Sequence, residues 1–95
     1  MAGYFVANVD ITDAVGFKEY AAGAPATVAA YGGSYLVRGG VIEVLEGDWT
    51  PTRITIIQFE SVARVKEWFN SPEYLPFKEI RKKTTVARLL VIQGV

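Results

Sequence analysis

Hydrophobic positions alternate along GYFVANVDI (3–11): Phe5, Ala7 and Val9 fall on one side, Tyr4, Val6 and Asn8 on the other. A period of two, in a run rich in aromatic and β-branched residues, predicts a strand. Thr12 follows as the expected cap of a helix, with Asp13 in its first turn. Over 13–31 the period lengthens, and Phe17, Tyr20, Ala24, Val28 and Tyr31 share one helical face. Pro25 lies inside that pattern and removes a backbone donor, so a kink or break is expected near Gly23.

The next stretch, YGGSYLVRGG (31–40), holds two glycine pairs around a short apolar run. Gly32 suits the left-handed position that closes a helix, with Gly33 as the link. SYLVR reads as a strand, which Gly39-Gly40 is expected to bend before VIEVLE (41–46) resumes it. GDWTP (47–51) reads as a hairpin loop and TRITIIQF (52–59) as the returning strand. Ser61 opens a helix over 61–69, with Val62, Val65 and Phe69 as its core stripe. NSPEYLPFKEIRKK (70–83) starts again, with Ser71 as N-cap, Pro72 at the first helical position and Glu73 in the first turn. Pro76 is expected to shorten or distort this helix, and RKK at 81–83 to complement the dipole at its end. TTVARLLVIQGV (84–95) is the last strand.

The order is therefore β-α-β-β-α-β, with the second helix split. It predicts a ferredoxin-like α+β domain spanning 1–95, an antiparallel sheet with its helices on one face. Two right-handed crossovers are expected to set the first and last strands in the centre. The other face of such a sheet is ordinarily polar. Here Ile54 and Ile56 oppose Ile57 and Phe59, and Leu90 and Ile92 oppose Leu89 and Val91. Both faces are apolar, and one set of helices covers only one of them. A second sheet packed on the open face would complete a two-fold dimer, so a homodimer through the sheet face is expected.

Composition narrows the chemistry. Hydrophobic residues make up 51% and charged residues 21%, the balance of a globular chain. Net charge is +0, against the basic stripe that a nucleic-acid or anionic-membrane partner would want. With no Cys and no His, the chain offers no thiol nucleophile, thiolate metal site, imidazole base or haem histidine, and no cofactor or metal is expected. The first residues lack the features of a signal peptide and no run is long enough to span a bilayer, so a cytoplasmic location is expected.

FKEYAAGAPATVAAYGGSYLVRGG, VLEGDWTP, ITIIQFES and FNSPEYLPFKEIR, in that order over almost the whole chain, resemble the bacterial domain of unknown function 1330. That family is similar to the dimeric α+β barrel proteins, which implies the same fold and dimer. The resemblance implies no set reaction. Members of the wider superfamily include small oxygenases, isomerases and haem-degrading proteins, and this chain lacks the His that the haem- and histidine-dependent kinds use.

In barrels of this kind a cavity lies between the sheet and its own helices. Arg38 is the first candidate to face it, since a guanidinium holds a carboxylate or enolate through two hydrogen bonds. The alternative is an ion pair with Glu43, Glu46 or Asp48. Tyr74 offers a hydroxyl, and Tyr20, Tyr31 and Tyr35 offer others. Trp49, in a polar loop, is a candidate pocket wall or an anchor across the dimer interface. Arg81 is a second candidate cation, with the helix dipole as its competing explanation. Glu46 and Asp48 flank the hairpin near the strand that carries Arg38, and Glu46 is the candidate proton acceptor.

The expected function is small-molecule binding, with ligand contacts from Arg38, Tyr31, Trp49, Tyr74 and Arg81. One alternative is a cofactor-independent isomerase or monooxygenase for a small carbonyl or aromatic compound. There Arg38 would stabilise an enolate oxygen and Tyr74 or Glu46 would move the proton. The other alternative is a structural oligomer with no ligand.

Overall fold

The computed structural model describes all residues, 1–95. Its elements are β1 (Gly3–Ile11), α1 (Ala14–Ala30), β2 (Ser34–Arg38), β3 (Ile54–Phe59), α2 (Val62–Phe69), α3 (Leu75–Thr84) and β4 (Thr85–Gln93). All strand pairs are antiparallel, in the order β2-β3-β1-β4. This is the ferredoxin-like α+β arrangement. The centre is held by β3 and β1, however, not by the first and last strands, and β4 is an edge. Each crossover leaves a gap of one strand that the other crossover unit fills, so the two units interleave.

The alternation of β1 is realised as read. Phe5, Ala7 and Val9 are buried under the helices, joined by Ile57 and Phe59 from β3. The core turns on Trp68, whose ring lies 5.1 Å from Phe5, 5.5 Å from Phe59 and 4.3 Å from Tyr74. Its indole N–H donates to Thr27 Oγ1 at 3.0 Å, tying α2 to α1. The expected α2 stripe is thus shifted: Val65 and Trp68 are buried, while Val62 and Phe69 are half-buried.

Local chemistry moves several boundaries. Asp13, not Thr12, caps α1, its carboxylate accepting the Gly16 N–H at 3.1 Å, while the N–H groups of both residues go to the Thr84 carbonyl. Gly32, at φ +77, closes α1 as expected: its N–H reaches Ala29 O and the Gly33 N–H reaches Val28 O. Pro25 does not break the helix, which runs unbroken from Ala14 to Ala30. Ser71 caps a turn ahead of α3 by accepting the Tyr74 N–H, and Pro76 rather than Pro72 occupies the first turn of the helix. There its missing N–H costs nothing, so it opens α3 instead of distorting it.

The largest departure is in 39–53. Gly39 takes φ +68 and ends β2, so VIEVLE forms no strand, and the sheet irregularity falls between Tyr35 and Val37 instead. A strand needs a partner, and none is left here: the Arg53 carbonyl accepts from Val9 N–H, and Pro51 has no donor. Residues 52 and 53 therefore stay outside β3, with Thr52 Oγ1 bonded to Val9 O at 3.0 Å.

Replacing Thr27 by Val should strand the indole N–H in the core. Urea unfolding should show a loss of about 1–3 kcal/mol, with native Trp68 fluorescence retained before the transition.

Candidate functional site

α2 packs on the strands, whereas α1 packs chiefly on α3 and stands off the sheet. The space beneath α1 is a cavity of about 40 Å³, room for a few waters. Its walls are mostly apolar, with Phe17, Ala21, Ala24 and Pro25 from α1, and Phe5, Ile57 and Leu89 from the sheet. Three guanidinium side chains, Arg38, Arg53 and Arg81, and the phenols of Tyr20 and Tyr35 also line it. None of the ten acidic residues does.

Each arginine is positioned by a different local feature. Arg38 ends β2 opposite Thr55, its guanidinium 4.8 Å from the Tyr35 ring centre. Its Nη2 donates at 3.3 Å to the Ala21 carbonyl. That carbonyl would serve the N–H of residue 25 in a regular helix, and Pro25 has none. The gap that Pro25 opens in α1 is thus answered from β2. Arg38 makes no ion pair with Glu43, Glu46 or Asp48.

Arg53 lies over the Phe17 ring, and a Cβ on Gly39 would run into its guanidinium. Arg81 is only 6% exposed. It stands seven residues after Tyr74, two helical turns on, and its Nε donates to the Tyr74 hydroxyl at 3.4 Å. Tyr74 is fully buried, and its hydroxyl shares a 2.8 Å hydrogen bond with that of Tyr20. Tyr74 therefore supports the cavity from behind Tyr20 and Arg81.

Other candidates lie elsewhere. Glu46 is exposed in the 39–53 segment and does not line the cavity, so the structure brings it near neither Tyr74 nor the phenol pair. Tyr31 donates its hydroxyl to Glu73 at 2.6 Å on the surface, under the Arg64 guanidinium. Trp49 is 58% exposed and borders a hollow on the open sheet face with Asn8, Ile54 and Arg88. Arg53 was legible but missed: inward positions of the third strand run 53, 55, 57 and 59 by alternation. No group of three or more His, Cys, Asp or Glu is placed to hold a metal ion.

The model of the family described as domain of unknown function (DUF1330) matches residues 2–95. The chain belongs to the DUF1330 family. No curated protein matches this DUF1330 chain. Among solved structures it is similar to a protein of unknown function from Rhodopseudomonas palustris, with TM-score 0.78 and 18% identity over 99% of this chain and 82% of that one. SnoaB, a cofactor-independent oxygenase from Streptomyces nogalater, aligns with TM-score 0.69 and 15% identity over 99% of this chain and 93% of that one. A hypothetical Arabidopsis thaliana protein aligns with TM-score 0.71 and 16% identity over 98% of this chain and 88% of that one. The DUF1330 chain thus has the subunit fold of the dimeric α+β barrel proteins.

Burial pushes the Tyr20 hydroxyl well above the ordinary phenol range, with the Tyr74 hydroxyl adding to the rise and Arg81 opposing it. Burial also raises Tyr35, against the pull of Arg38. On the surface, the bond from Tyr31 holds Glu73 below the usual carboxylate range and raises Tyr31 in turn. The folded DUF1330 chain therefore holds the Tyr20 and Tyr35 protons more tightly than the unfolded chain does. Stability from this source is full below about pH 10, where unfolded tyrosines ionise, and falls as pH rises beyond it. Melting temperature should decline between about pH 10 and 11.5, and Tyr20→Phe should make that decline shallower.

Proposed function

We propose that this protein is a homodimeric binding protein for a small organic molecule, taken into the cavity between the sheet and α1 of each subunit. The observation that carries this reading is that cavity, an unfilled and partly polar space in a core where close packing is the rule. A purely structural oligomer has no use for an interior lined by guanidiniums and phenols.

The sheet topology supports the dimer. On the face away from the helices, Val37, Ile56, Val6 and Leu90 stand side by side across all four strands. This apolar row continues into Ile92 and, beyond Ile54, to Trp49. A second copy of the same face is self-complementary, and a two-fold axis through it covers both rows at once. Within the 39–53 segment, Val41 and Leu45 are also 98% and 97% exposed.

SnoaB is named as a cofactor-independent oxygenase. Oxygenase chemistry of that kind carried over to this chain would need a proton acceptor. The cavity offers none among its residues: guanidiniums do not accept protons, and burial keeps Tyr20 protonated. This favours binding over proton-abstracting catalysis.

Light scattering at micromolar concentration should return twice the chain mass, and Leu90→Arg should halve it without unfolding the chain; a monomeric wild type sinks the dimer. For the cavity, Ala21→Leu should fill the space under α1. Amide chemical shifts around α1 should move with millimolar propanol or propionate in the wild type and stay still in Ala21→Leu. Unchanged shifts in both proteins would remove the binding reading.

A further inference from the structure

We infer that the cavity is a site for a short-chain organic carboxylate, held at its head by Arg53 and Arg81; this rests on the small-molecule reading above. Three observations converge on that class. Charge is the first. Arg81 is more than nine-tenths buried, yet its side chain makes one hydrogen bond, the 3.4 Å contact from Nε to Tyr74, and its terminal nitrogens, which are not sealed in the core, have no protein partner. Arg53 has neither an ion pair nor a side-chain hydrogen bond, and rests on the Phe17 ring. The chain's two ion pairs, Arg64–Glu67 and Lys82–Glu79, are both on the surface. Buried cations are ordinarily paired with carboxylates. Here the carboxylate is missing from the chain, and a guanidinium's planar fork matches one from a ligand.

Size is the second. About 40 Å³ admits a molecule of a few heavy atoms, not a ring system. Lining is the third: Phe17, Ala24, Ile57 and Leu89 surround the arginines with aliphatic and aromatic surface. That surface suits a short hydrocarbon tail, which an inorganic anion lacks. Tyr20, kept protonated by burial, adds a hydroxyl donor to the wall and no competing negative charge. Arg38 plays a lesser part, because the Ala21 carbonyl already engages it.

The test titrates the full-length protein with propionate, propionamide and inorganic phosphate at constant ionic strength, following amide and indole shifts by NMR. Propionate should bind at least about tenfold more tightly than its neutral isostere. Arg81→Met should abolish that preference while leaving the weak propionamide shifts in place. Should Arg81→Met fail to fold, Arg53→Gln, at a more accessible position, should weaken propionate selectively. Equal binding of propionate and propionamide overturns the charge argument and leaves the small-molecule reading standing. Phosphate binding as tightly as propionate overturns the organic tail. No shift with any of the three overturns this inference and the binding reading together.

Discussion

The hydroxyl pair of Tyr20 and Tyr74, 2.8 Å apart and 54 positions apart in the chain, is the contact on which the helical layer depends. It joins α1 to the turn before α3, where the Tyr74 ring packs 4.3 Å from that of Trp68, tilted by 38°. Beyond this contact α1 packs chiefly on α3, where Gly23 lets the Phe77 ring approach, and a cavity persists between α1 and the strands. A buried hydroxyl must find a partner. Two hydroxyls that satisfy one another, with the Arg81 Nε on the same oxygen, fix the distance between helices more sharply than apolar packing alone. The same contact turns Arg81 inward while Lys82 and Lys83 stay at the surface to meet the helix end.

Two irregular features of the backbone then aim the other arginines. Pro25 withholds a donor from the Ala21 carbonyl, and Arg38 supplies it from the end of β2. Gly39, with a positive φ and no Cβ, makes room for the Arg53 guanidinium. The result is a cavity edge built of cations held by geometry and not by ion pairs. Such an edge answers to a ligand's charge more readily than one whose arginines are already neutralised.

The two faces of the sheet divide the work. The inner face is closed by Trp68, Val28, Val65 and Tyr74, all nearly inaccessible. The outer face carries a row of branched aliphatic residues across four strands, bordered by Trp49 from the long connection between β2 and β3, in which Val41, Val44 and Leu45 are exposed. The strand pattern of VIEVLE and its lack of a partner within the chain belong together. Val41 and Leu45 within it stay almost fully exposed.

Period and cap chemistry in the sequence by themselves determined the element order, the inward set of β1, the Gly32 closure of α1 and the apolarity of both sheet faces. These are local facts, set by alternation, helical spacing and the left-handed preference of glycine. Strand order was not legible in the same way, because interleaved and side-by-side crossovers share one element order. Nor was the fate of Pro25, since a proline's cost depends on what reaches the carbonyl it abandons, here Arg38. Arg81 reads in sequence as a cation at a helix end, and it is one. Only the tertiary structure could turn it into a cavity residue, because burial and the absence of any nearby carboxylate are properties of what packs around a side chain.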